Sequence, residues 1–212
     1  MAEAVTPASE DESQYRIEAT GGVPRAAHPD PEARRHVCRV QSSLATSAAA
    51  AGSPDGLYHE DTRYLSQLEL RLNDDRPLLL SANPGEDNAL LTVDLANPDT
   101  QDADGGVLHR ELIYVNRRQF VWQGAYNELL LVRNFDRDPH TVTLSLRFAA
   151  DFADVFEVRG QRRAKRGRRS AECLSPDAVV LRYRGLDEVE RDTNLRFEPR
   201  RTGWTPRARI SC

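Results

Sequence analysis

The chain has 212 residues, 33 acidic and 29 basic side chains, a formal charge of −4, 39% hydrophobic residues and 29% charged ones, the make-up of a soluble globular protein long enough to bury a core without staples. Its three cysteines, Cys38, Cys173 and Cys212, are odd in number and lack CxxC spacing, which argues against a disulfide framework and a zinc cluster. No run approaches the roughly 18 apolar residues of a membrane span and the acidic start MAEAVTPASEDES is unlike a signal peptide, so the expected address is the cytoplasm, with no membrane partner.

Residues 1–55 mix Glu, Asp, Pro, Ala and Arg without apolar periodicity and include the small-residue stretch SSLATSAAAAGSPD. They are expected to form a disordered, low-complexity tail in which Val37 and Val40 make at most a weak edge strand. From Gly56 the texture changes. Leu68, Leu70 and Leu72 alternate with Gln67, Glu69 and Arg71, the period of a half-buried strand, and Asn73, Asp74 and Asp75 supply a turn before Pro77 opens the next segment. Leu90–Leu95 is a short apolar run, and residues 107–115 read as one strand with Leu108, Leu112 and Tyr114 on one face and His109, Glu111 and Ile113 on the other. The continuous run Leu129–Val132 predicts a strand buried on both faces.

Residues 140–148 give the clearest strand, with Val142, Leu144, Leu146 and Phe148 on one side. The turn formers of 134–139 predict a hairpin with the strand before it. Two further strands, Val179–Tyr183 and Val189–Phe197, are joined through Gly185, Leu186 and Asp187. No segment keeps helical periodicity for ten residues, so the expected class is all-β with little helix, an antiparallel twisted sandwich over residues 56–198 followed by an irregular tail over 199–212.

The common nucleotide, esterase and zinc-protease signatures are absent, and no cofactor is expected. Three constellations carry chemistry. In LYHEDTRYLS the residues His59, Asp61 and Arg63 would share one side of an extended chain, either as a row of hydrogen-bonding groups for sugar hydroxyls or as a polar knot in which Asp61 anchors Arg63. A metal site there is disfavoured, because neighbours on a strand point to opposite faces. In DFADVFEVRG the carboxylates of Asp151, Asp154 and Glu157 invite a glycosidase reading, which needs two carboxyls about 5 Å or about 6.5 to 9.5 Å apart. Acids interleaved with Phe152, Phe156 and Val158 equally describe the solvated face of a packed segment. The run from Arg159 to Arg169, with seven positive charges in eleven residues and no aromatic among them, reads as a solvated loop, and nucleic acid is not an expected partner. Trp122 and Tyr126, around a glycine, form a candidate sugar-stacking platform or ordinary edge packing.

Three strings carry a resemblance. GLYHEDTRYLSQLEL from Gly56, EDNALLTVDLANPD from Glu86 and VTLSLRFAADFADVFEVRGQRRAKRG from Val142 resemble, in order and with similar gaps, the N-terminal domain of the bacterial glycogen debranching enzyme family, the amylo-α-1,6-glucosidase type. The resemblance implies a large, supersandwich-like β-sandwich ahead of a helical-toroid glycoside hydrolase domain, whose carboxylates do the chemistry while the sandwich packs against it and helps wall the cleft. By this analogy His59, Asp61, Arg63, Asp154, Glu157 and Arg159 are candidates for interdomain or substrate-cleft contacts, none of them catalytic. The chain departs from the family before Gly56, where the Ala/Ser stretch replaces strands, and after Phe197, where the arginine-rich ending EPRRTGWTPRARISC reads as a truncation or a shifted frame. A non-catalytic module missing its helical partner is therefore the leading expectation. A stand-alone α-glucan-binding module using Trp122 and Tyr126 is the alternative, and an enzyme using Asp154 and Glu157 a third.

Overall fold

The computed structural model describes residues 15–19, 54–85, 89–101, 105–122, 124–175, 177–198 and 210–211, the first and last of these by backbone alone. In chain order its strands are β1 (Tyr15–Ala19), β2 (Leu57–His59), β3 (Thr62–Leu65), β4 (Gln67–Leu72), β5 (Leu78–Pro84), β6 (Leu90–Ala96), β7 (Thr100–Gln101), β8 (Val107–Leu108), β9 (Ile113–Trp122), β10 (Ala125–Asn134) and β11 (Leu144–Ala149). A one-turn helix, α1 (Val155–Val158), precedes β12 (Arg168–Ser175), β13 (Ala178–Arg184), β14 (Glu190–Arg196) and β15 (Ile210–Ser211). No helix among the described residues is long and apolar enough to cross a membrane.

The leucine alternation of β4 sets the core. Leu68, Leu70 and Leu72 lie opposite Phe148, Leu146 and Leu144 of antiparallel β11, which gives this sheet one apolar face. Two other sheets cover it side by side. At the Leu72 end, β6 and β9 bring down Val93, Leu95, Ile113 and Val115, joined by Leu108 and Val142. At the Phe148 end, β13 brings Val179, Leu181 and Tyr183, joined by Leu65 and Phe152. Leu146 packs against both clusters. The sheet orders are β15-β1-β11-β4, β10-β9-β6-β5 and β12-β13-β14, with short ribbons β2-β3 and β7-β8, and every pairing is antiparallel. The protein is thus an all-β sandwich with almost no helix, as the sequence predicts.

Several local expectations are corrected. The clearest predicted strand starts only at Leu144, because its partner β4 turns away at Asn73. The side-chain oxygen of Asn73 accepts from Thr143 N at 2.8 Å and its backbone N–H donates to Thr143 O at 2.8 Å, which ends the ladder. Residues 107–115 are not one strand. Glu111, with φ 66°, reverses the chain, and Asn97 fills the corner by donating to His109 O at 2.7 Å and accepting from Ile113 N at 2.8 Å. Ile113 is consequently buried, not on the outer face with Glu111.

The run Leu129–Val132 lies in a sheet-edge strand, with Leu130 and Val132 packed inward and Leu131 exposed. Its strand pairs with β9 rather than forming a hairpin with β11, so residues 135–143 carry the chain from one sheet to the other. β1 pairs with β11 from Tyr15↔Phe148 to Ala19↔Leu144, and β15 pairs with β1. Val37, Val40 and the low-complexity stretch up to residue 53 lie outside the described residues.

Candidate functional site

The first two polar constellations meet in space. Arg63 N donates to Ala153 O at 2.8 Å and Val155 N to Asp61 O at 2.9 Å, lashing the β2–β3 ribbon to the segment after β11. Arg63 is buried. Its Nε donates to Asp151 Oδ1 at 3.1 Å, its Nη2 to Asp151 Oδ2, and its Nη1 to Asp55 O at 3.1 Å. Burial opposes the charge, but the hydrogen bond and field of Asp151 outweigh it and hold the guanidinium above its usual value. The anchor of Arg63 is therefore Asp151, not Asp61. Glu60 and Asp61, at φ 44° and 63°, form a two-residue turn between β2 and β3. The chain reverses after His59, so His59, Asp61 and Arg63 do not form a row. His59 is half-buried, with its ring centroid 5.9 Å from that of Tyr64.

Asp154 and Glu157 build a helix start. Asp154 Oδ1 accepts from Phe156 N and Glu157 N at 2.8 Å each, and Glu157 Oε2 accepts from Asp154 N at 3.2 Å, a complete capping box around α1. The spacing D-x-x-E was legible as this motif and is the signal the sequence reading passed over. Arg163 folds back to pair with Asp154 and, at 3.4 Å, with Glu157, while Arg166 pairs with Glu157 at 3.0 Å. Part of the basic run is thereby held against the acids that precede it. Arg159 closes the helix through its N–H and leaves its side chain exposed.

Trp122 and Tyr126 do not share a surface. The register Trp122↔Ala125 and Val121↔Tyr126 puts them on opposite faces of the sheet. Tyr126 faces inward beside an ion pair that the sequence reading missed. Arg117, 1% exposed, donates from Nε to Glu128 Oε1 at 2.7 Å and from Nη2 to Glu128 Oε2 at 2.9 Å. Tyr126 donates to Glu128 Oε2 at 2.8 Å, and the side-chain amide of Gln119 lies beside Arg117 and Tyr126. The available signal was a lone charge of opposite sign interrupting the inward apolar row of each of two consecutive strands, Ile113-Val115-Arg117 and Glu128-Leu130-Val132.

On the opposite, outward face the same sheet carries a second network. Asp94 accepts from the hydroxyl of Tyr114, from Ser81 at 2.7 Å and from the Asn116 amide at 2.7 Å, and Arg118 Nε donates to Asn116 Oδ1 at 3.0 Å. Tyr114, then Ser81 and Asn116, hold the Asp94 carboxyl below its ordinary range. A carboxyl so held stabilises the fold above the ordinary aspartate range, about 4, and the contribution is lost as pH falls through the lower, folded value. The expected result is that denaturation midpoints measured between pH 5 and 3 fall less steeply for Asp94→Asn than for the wild type. Equal slopes would count against this role for Asp94.

Compared with known proteins, residues 40–210 match the profile of a family described as the N-terminal domain of (some) glycogen debranching enzymes. That span is wider at both ends than the stretch carrying the sequence resemblance. No curated protein and no solved structure matches the chain.

Proposed function

The chain belongs to the family of N-terminal domains of some glycogen debranching enzymes, and we propose that it serves as the non-catalytic β-sandwich module of such a protein. In this reading it supports a helical-toroid glycoside hydrolase domain, in cis or in trans, within cytoplasmic α-glucan metabolism. The supporting observation is the occupation of the three carboxylates that invited a catalytic reading. A general acid must reach the glycosidic oxygen, and a nucleophile must face the anomeric carbon. Asp151 instead faces Arg63, Asp154 caps α1, and Glu157 is shared between that cap and two arginines.

The ribbon tip with His59 and Asp61, together with α1 and its exposed Phe156 and Arg159, is the surface this reading turns toward the toroid, with Arg63, Asp154 and Glu157 holding its shape. Purified chain incubated with an α-1,6-branched limit dextrin is expected to release no glucose. Co-expression with the toroid domain of a debranching enzyme is expected to raise the toroid's thermal midpoint, an effect lost in the double variant Phe156→Asp, Arg159→Glu. Glucose release by the chain alone, or a toroid indifferent to its presence, would overturn the reading.

A further inference from the structure

Among the described residues, β4, β5, β10, β12 and β14 are the strands of four or more residues that form free edges of the three larger sheets. Four of them, β4, β10, β12 and β14, each carry two or more charged residues, a common defence of an edge against strand addition. β5 carries none. Its sequence is LLLSANP, and Leu78, Leu79 and Leu80 are 36%, 51% and 51% exposed. Leucines in succession lie on both faces of a strand, so they flank the free edge above and below.

Leu79 pairs with Leu95 and Ser81 with Asp94, which leaves Leu80 at a bulge with no residue opposite it on β6. The polar side chains of β5 are already engaged. The Ser81 hydroxyl donates to Asp94 at 2.7 Å, and the Asn83 amide donates to the Ser81 oxygen at 3.0 Å. What β5 presents to a newcomer is therefore main-chain hydrogen-bonding groups and leucine side chains, which suits another strand. The incoming strand fits best when it too is apolar and uncharged, because a charge set against these leucines would lose water without gaining a partner. At the far end Gly85 N–H points to β6, donating to Leu90 O at 2.6 Å. The alternation of the ladder then turns Pro84, which has no N–H, to the free edge and ends pairing there.

We infer that β5 pairs with β5 of a second copy of this chain, antiparallel about a two-fold axis, joining two four-stranded sheets into one of eight strands. The copy supplies the occupant these features select, an edge strand with exposed leucines and no charge, so that no like charges are opposed. Pairing consumes both edges, and assembly closes at the dimer. The stretch left for pairing, residues 78–83, has its midpoint beside Leu80, so the axis brings Leu80 of the two copies together. A contact of one strand's width is small, and a dissociation constant on the order of tens of micromolar is expected. The inference does not depend on a toroid partner, so either can fail without the other.

The test is sedimentation velocity of the full chain from about 1 μM to about 300 μM. The wild type is expected to pass from monomer to dimer across this range without forming larger species. Leu80→Lys and Leu80→Glu are each expected to weaken dimerisation roughly tenfold or more, because like charges meet across the axis. An equimolar mixture of the two variants is expected to recover it, a result that only contact between copies at this position produces. Leu131→Lys, on the β10 edge of the same sheet, leaves dimerisation unchanged. Circular dichroism verifies folding of each variant. A wild type that stays monomeric throughout, a dimer that survives both Leu80 variants, or a mixture no better than either variant alone would each overturn the assignment. In the first case, loss of toroid stabilisation in Leu80→Lys would give the edge to that domain instead.

Discussion

Replacing Glu128 with Ala is expected to destabilise the protein by about 3–5 kcal/mol, the cost of leaving a buried charge without its partner. Arg117 lies between two layers of the sandwich, its side chain 2% exposed and that of Glu128 12%. With the carboxylate gone, water must enter or the guanidinium must leave a site framed by Val115, Leu130 and Tyr126, and either response disturbs packing on both sides. For a chain of this size each kcal/mol moves the thermal midpoint by roughly 2–4 °C, so a drop on the order of 10 °C is expected in a thermal melt.

The double variant Arg117→Met, Glu128→Leu separates this penalty from the net worth of the pair. Buried pairs replaced by apolar side chains of similar volume are commonly neutral or more stable. The double variant is accordingly expected to recover most of the loss, giving a strong coupling energy in a double-mutant cycle. A loss below about 1 kcal/mol for Glu128→Ala would mean that Arg117 rehydrates at little cost and that the ion pair is not sealed.

This pair also marks where reading the sequence stops. Alternation made β4, β11 and β13 legible, since each needs only its own residues to declare a buried side. Arg117 and Glu128 give no such sign one strand at a time, because a charged side chain in a strand faces water by default. The opposite charges interrupting two consecutive apolar rows become a pair through the register of β9 on β10, and register is a property of two strands. The same limit governed the candidate site. That Arg63 sits in a polar knot followed from its neighbours, but its partner Asp151 lies 88 residues away, and nothing local distinguishes it from Asp61. The capping box at Asp154 was local and could have been read. The opposite faces of Trp122 and Tyr126 follow from the turn at Gly124, whose φ of 75° sets which residues pair across the hairpin.

The second large effect concerns whether the two apolar clusters are one core. Phe148 is fully buried at the end of β11, against Leu65, Leu68, Val179, Leu181 and the ring of Phe197, 6.2 Å away centroid to centroid. Its truncation to Ala is expected to cost about 3–5 kcal/mol, from lost transfer energy and a cavity that strands on both sides restrain from collapsing. Phe148→Leu should cost substantially less, since much of the volume is retained. Because Leu146 touches both clusters and β4 runs through both, the loss should appear in a single cooperative transition with an unchanged denaturant slope, reported alike by far-ultraviolet dichroism and by fluorescence. Two transitions, with only one moved by Phe148→Ala, would instead make the β12-β13-β14 end an independently folding unit. The Arg63 knot, fastened to β14 through the Thr193 hydroxyl on Tyr64 O at 2.5 Å, would then melt with that unit while the β5-β6-β9-β10 face stayed folded.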